Sequence, residues 1–77
     1  MRIDKFLKVS RIIKRRTVAN DVAAANRVSI NGKIVKPSAE VKIGDLVEIR
    51  FGDKASKFEI LNIGGHGVNA NEMYKIL

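Results

Sequence analysis

Seven of the first sixteen residues are basic: Arg2, Lys5, Lys8, Arg11, Lys14, Arg15 and Arg16. Only Asp4 opposes them. Groups of this kind at this density hold anions. A guanidinium forks onto two phosphate oxygens or stacks on a base, whereas a lysine ammonium acts as a point charge. As far as Arg27, eight Lys and Arg face Asp4 and Asp21, a net charge of +6; residues 28–77 carry seven against six, a net +1. Nearly all of the chain's +7 therefore sits in its first third. A run of mixed charge is ordinarily a solvated helix face, but this run has one sign. Its members repel one another unless a polyanion neutralises them. The candidate contacts for a phosphate backbone are thus Arg2, Arg11, Arg15 and Arg16 as fork-shaped donors, with Lys5, Lys8 and Lys14 beside them.

Other chemistry finds no support. The chain has no cysteine, which removes disulfides and thiolate metal sites. His66 lies among glycines with no second histidine or nearby acid, so a metal site is not expected there. The same glycines lack the Lys-Ser/Thr ending of a phosphate-binding loop and read as a flexible connection. Ser10 and Ser29 have no histidine partner. No catalytic residue, no metal and no cofactor is therefore expected, and the chain does not read as an enzyme. No run approaches the ~18 apolar residues of a membrane span, and the first residues do not form a signal peptide. A cytoplasmic protein is expected.

The elements that must carry the basic residues can be read from periodicity. Residues 4–14 read as a helix, with Asp4 as its N-cap, Phe6, Leu7, Ser10 and Ile13 on one face, and Lys5, Lys8 and Arg11 on another. Thr17 is the expected N-cap of a second helix over Val18–Ala25. Its small stripe of Ala19, Val22 and Ala23 permits close packing, and Asn26 is its left-handed stop. The period then changes to two. Strands are expected around residues 27–30 and 33–35, joined by the hairpin signal Asn31-Gly32. Others are expected over 46–51 and 58–63, and 73–77 forms a last strand or one end of a short helix. Gly44-Asp45 and Gly52-Asp53 mark turns. The fold class is α+β: two N-terminal helices packed on a small, mainly antiparallel sheet. At 77 residues a single domain is expected over 1–77. Phe6, Phe51, Phe58 and Tyr74 are its only aromatics. They are assigned to the core, which leaves the shape and backbone of a polyanion, not stacked bases, as the features to read.

Several spaced motifs then become recognisable: Arg2-Ile3-Asp4-Lys5-Phe6-Leu7, Arg16 with Ala19, Arg27-Val28-Ser29-Ile30-Asn31-Gly32, and Val41-Lys42-Ile43-Gly44-Asp45. Together they resemble the RNA-binding domain named after small-subunit ribosomal protein S-four, over a motif core of about residues 2–51. Lys5 to Arg11, Lys14 to Thr17 and the closing Asn71 to Leu77 are more narrowly similar to the stand-alone bacterial RqcP and heat-shock protein fifteen family. The chain departs from the family at Arg15, where serine is frequent, and at Asn26, where glycine is usual. The resemblance implies a helical face on RNA, with Arg2 and Arg16 at motif positions. It also implies partners: rRNA of the large ribosomal subunit, peptidyl-tRNA in the P site, and a tailing factor on the same subunit. The implied role is support of C-terminal tailing of stalled chains in ribosome-associated quality control. A general rRNA- or tRNA-binding factor in recycling or assembly is the alternative. A monomer is expected, and no membrane partner. An anionic membrane surface suits the basic helix less well, because its apolar face is needed for the core. A helix-turn-helix DNA reader is weakened by Ala23-Ala24-Ala25, which offers no base-reading side chains.

Overall fold

The computed structural model describes residues 1–64 and 67–77. The expectations placed on Gly65 and His66 lie outside the described residues. Two short helices, α1 (Ile3–Val9) and α2 (Arg16–Ala24), precede five strands. These are β1 (Val28–Ile30), β2 (Lys33–Ile34), β3 (Leu46–Phe51), β4 (Lys54–Ile60) and β5 (Tyr74–Ile76). The strands form one sheet in the order β2-β1-β3-β4-β5, and every neighbouring pair is antiparallel. The α+β expectation holds, with a sheet that is antiparallel throughout.

Helices of seven and nine residues are too short to persist alone, so packing must hold them. Ile3, Phe6 and Leu7 of α1 and Ala19 and Ala23 of α2 are fully buried, on a core completed by Val28, Val47, Ile49, Phe58, Ile60 and Met73. The small residues of α2 do bring it close, with Val22 half-buried beside them. Phe6 stacks on Phe58 at 6.4 Å between ring centroids, and Phe58 meets Tyr74 edge-to-face at 5.7 Å. Phe51 corrects the aromatic assignment. It lies at the tip of the β3–β4 hairpin and is 46% exposed.

The helix ends differ most from expectation. α1 stops at Val9 instead of continuing to 14, because Arg11 turns left-handed at φ 62° and breaks the ladder. Ser10 and Ile13 are buried as expected, although only Ser10 borders the helix. Asp4 is not the N-cap. Arg2 occupies that position, and Asp4 lies inside the first turn. The first amides of α1 instead find partners in the 37–41 loop: Ile3 donates to the Ala39 carbonyl at 2.7 Å and Asp4 to the Pro37 carbonyl at 3.3 Å. Thr17 is likewise not a cap. α2 begins two residues earlier than expected, at Arg16, with Arg15 at the N-cap. Its end is as expected. Asn26 has φ 61°, the Asn26 amide donates to Ala23 and the Arg27 amide to Val22, the pattern of a Schellman motif.

In the sheet, Asn31 (φ 52°) and Gly32 (φ 86°) form the expected tight turn. Asn31 does more than turn: its side chain donates to Asp45 Oδ1 at 3.1 Å and accepts from the Leu46 amide at 2.9 Å. The two turn signals are thereby tied together. β3 matches its expected bounds. The fourth strand does not: β4 runs over 54–60, not 58–63, because Lys54–Lys57 pair with β3 despite lacking apolar alternation. The last segment resolves into a 3-10 turn (Ala70–Glu72) followed by β5.

Candidate nucleic-acid interface

The basic residues gather around two centres. The first is Asp4, whose carboxylate is only 2% exposed. Arg2 Nη2 donates to its Oδ2 at 3.1 Å, and Asn20 Nδ2 donates to the same oxygen at 3.3 Å. The Lys5 amide donates to Oδ1 at 2.7 Å, and Arg16 Nη2 stands 3.6 Å from Oδ1. One carboxylate therefore holds two guanidinium groups from different helices. Burial alone would raise the Asp4 pKa. The Asn20 and Lys5 hydrogen bonds and the charges of Arg2 and Arg16 outweigh that and hold the carboxyl below its usual range. Asp4 is therefore ionised at neutral pH, and the pair keeps one net positive charge.

Both arginines remain half open to solvent, Arg2 at 46% and Arg16 at 49%. Each can meet Asp4 and still present donors outward, since a guanidinium carries five. The start of α2 sharpens the effect. Arg15 and Arg16 stand at the positive end of the helix dipole, and no acid occupies the first turn. Cations there are locally unfavourable, so the site stores positive potential that an anion would relieve.

The second centre is the end of α1. Lys8, Arg11 and Lys14 line one open concavity of about 560 Å³. Lys5 and Lys8, three residues apart, form a ridge on the exposed side of α1 between Arg2 at its N-cap and Arg11 past its end, and so link the centres. Lys5 lies between them. Arg15 is exposed beside Arg16, and its backbone is extended. All seven sequence-designated residues are exposed.

Two contributors were underweighted by the sequence. Asp4 acts as an anchor rather than as a cap. Asn20 was not singled out, although its spacing of four from Arg16 places it on the same face of α2. The sheet carries no comparable charge. On its outer surface Glu48 lies 3.8 Å from both Arg50 and Lys57, so its charges largely cancel.

Comparison with known proteins agrees with this architecture. The S4 domain family model matches residues 1–47. A protein from Listeria innocua named "RQC P-site tRNA stabilizing factor" is 52% identical over 79 residues, covering 100% of this chain and 86% of the relative. A protein of the same name from Bacillus subtilis is 61% identical over 54 residues, 70% of this chain and 63% of the relative. Among solved structures, heat shock protein 15 of Vibrio cholerae, described as trimeric, superposes with a TM-score of 0.86 at 29% identity. That match covers 100% of this chain and 81% of its own. With more than half of its length under the family model, and a relative above 50% identity along all of it, the chain belongs to the S4 domain family.

Proposed function

We propose that this chain binds RNA of the large ribosomal subunit together with P-site tRNA on stalled subunits, and so supports tailing of the blocked nascent chain in ribosome-associated quality control. The observation that carries the proposal is the convergence of Arg2 and Arg16 on buried Asp4. Two half-exposed fork-shaped donors held at a common anchor form a preorganised receptor for backbone phosphates. The names of the Listeria and Bacillus relatives support the tRNA side of the reading. Arg2, Lys5, Lys8, Arg11, Lys14, Arg15 and Arg16 make the contacts, and the role is binding without catalysis. The whole of 1–77 works as one domain, as a monomer, and in the cytoplasm where bacterial ribosomes are. A tailing factor shares the same subunit.

Co-sedimentation with large subunits tests this. A charge-assisted hydrogen bond contributes ~1.5–3 kcal/mol, so Arg2→Ala or Arg16→Ala should each weaken association by roughly tenfold or more. Lys33→Ala, on the edge hairpin, should co-sediment like the parent. If Lys33→Ala dissociates while both arginine variants stay bound, the hairpin is the binding surface and the proposal fails.

A further inference from the structure

The end of α1 opens onto a surface of different chemistry from the cationic ridge. Arg11 lies at φ 62°, a region where an arginine backbone is disfavoured and where glycine would relieve the strain. It borders a concavity of about 540 Å³ whose other polar walls are Ser10, Asn69, Asn71 and half-buried Tyr74. It also borders the hollow lined by Lys8 and Lys14. Arg11 thus joins a hollow whose polar walls are all cationic to one whose polar walls include two amides and a phenol, both with Val9 among their apolar walls. Among the described residues no carboxylate lines either hollow, and Glu72, at the edge of the first, is engaged by Asn69.

We propose that the Asn69–Asn71–Tyr74 hollow receives a single unpaired nucleotide of the bound RNA. Its phosphate is held by Arg11, its base rests against Tyr74, and the neighbouring backbone continues past Lys8 and Lys14. The inference rests on the RNA-binding reading above and adds a base-contacting subsite to it. The volume falls within the ~300–1,000 Å³ of small-ligand sites. An amide carries both a donor and an acceptor and can match the edge of a base, and an aromatic ring offers its face to any base. Asn69 Nδ2 donates to Glu72 Oε1 at 3.4 Å, which leaves the Asn69 carbonyl oxygen to accept from an exocyclic amino group. Adenine, cytosine and guanine all carry such a group, and adenosine, with its large stacking face, serves as the probe. The phosphate contact also accounts for an arginine, rather than glycine, at a strained position.

Two RNA hairpins of the same stem test this by fluorescence anisotropy, one fully paired and one with a single bulged adenosine. The parent should bind the bulged hairpin about tenfold more tightly, a ratio in the range one stacked base supplies. Asn71→Ala, an exposed change in the 3-10 turn, should bring that ratio to about one, with folding checked by its melting curve. Arg16→Ala should weaken both hairpins alike. Equal binding of the two hairpins by the parent, or an unchanged ratio in Asn71→Ala, overturns the subsite while leaving the RNA-binding reading intact. Failure of the parent to bind either hairpin overturns both. Free adenosine monophosphate lacks the anchoring stem and should compete weakly. If it binds as tightly as the bulged hairpin, the hollow is a mononucleotide site and the RNA-borne form is wrong.

Discussion

Asp4 shows how an acid can serve an anion-binding surface. A carboxylate facing RNA would repel it, but this one is enclosed, and its negative charge is spent on Arg2, Arg16 and Asn20. Removing it leaves two guanidinium groups without their anchor. Asp4→Asn should destabilise the fold by ~1.5–3 kcal/mol, a noticeable share of the ~5–15 kcal/mol typical of a domain. The pH dependence carries the same signature. The folded pKa of Asp4 is depressed, so its stabilisation is complete above the unfolded aspartate value of about 3.9. It is lost as pH falls through the lower folded value. Urea denaturation across that acidic window should show stability falling in the parent and a flatter profile in Asp4→Asn. Glu40, held low by a hydrogen bond from the N-terminal ammonium and by its charge, adds a slope of the same sign to both proteins and cancels in the difference. Equal slopes would show that Asp4 is not the anchor. At this scale the sequence supplied the right residue types but not their meeting point. Asp4 and Arg16 are neighbours only because two helices pack.

At the scale of elements, local signals read well where the local chain decides and poorly where a distant segment does. Asn31-Gly32 and Asn26 impose their own positive φ, and both turn where expected. The strand Leu46–Phe51 alternates and was legible to its ends. The start of α1 was not, because its first amides are satisfied by carbonyls of Pro37 and Ala39, which no helix rule reveals. Its end was overrun because Ser10 and Ile13 continue the apolar spacing past a stop that Arg11 makes without glycine. That stop yields a prediction. Arg11→Gly should raise stability by about 1 kcal/mol, since the left-handed backbone penalty of ~1–2 kcal/mol disappears and only part is returned as unfolded-chain entropy. In a domain of this size the melting temperature should rise by ~4–8 °C, while RNA affinity falls. A variant with lower stability would mean that the arginine side chain holds the turn.

Across the whole molecule the charge is one-sided. A helical face bearing most of the net +7 is mounted on a sheet whose charges nearly balance. If binding neutralises ~4–6 phosphates, log affinity should fall against log salt with a slope of about −3 to −5. Arg16→Ala should make that slope shallower by about one contact, and Glu59→Lys, on the sheet, should leave it unchanged. A slope near zero in the parent would remove the electrostatic basis of the reading.

The backbone bonds from α1 to the 37–41 loop bear on when the protein becomes competent. Residues 1–27 hold almost all the charge, yet the first turn of α1 is completed only by a segment synthesised after β1 and β2. A nascent chain that has exposed only its basic third is a flexible polycation, with Asp4 solvated and its two arginines unregistered. Selectivity would thus arrive in one step with closure of the fold. Until then, a half-made copy emerging beside ribosomal RNA would bind it only as loosely as any basic peptide.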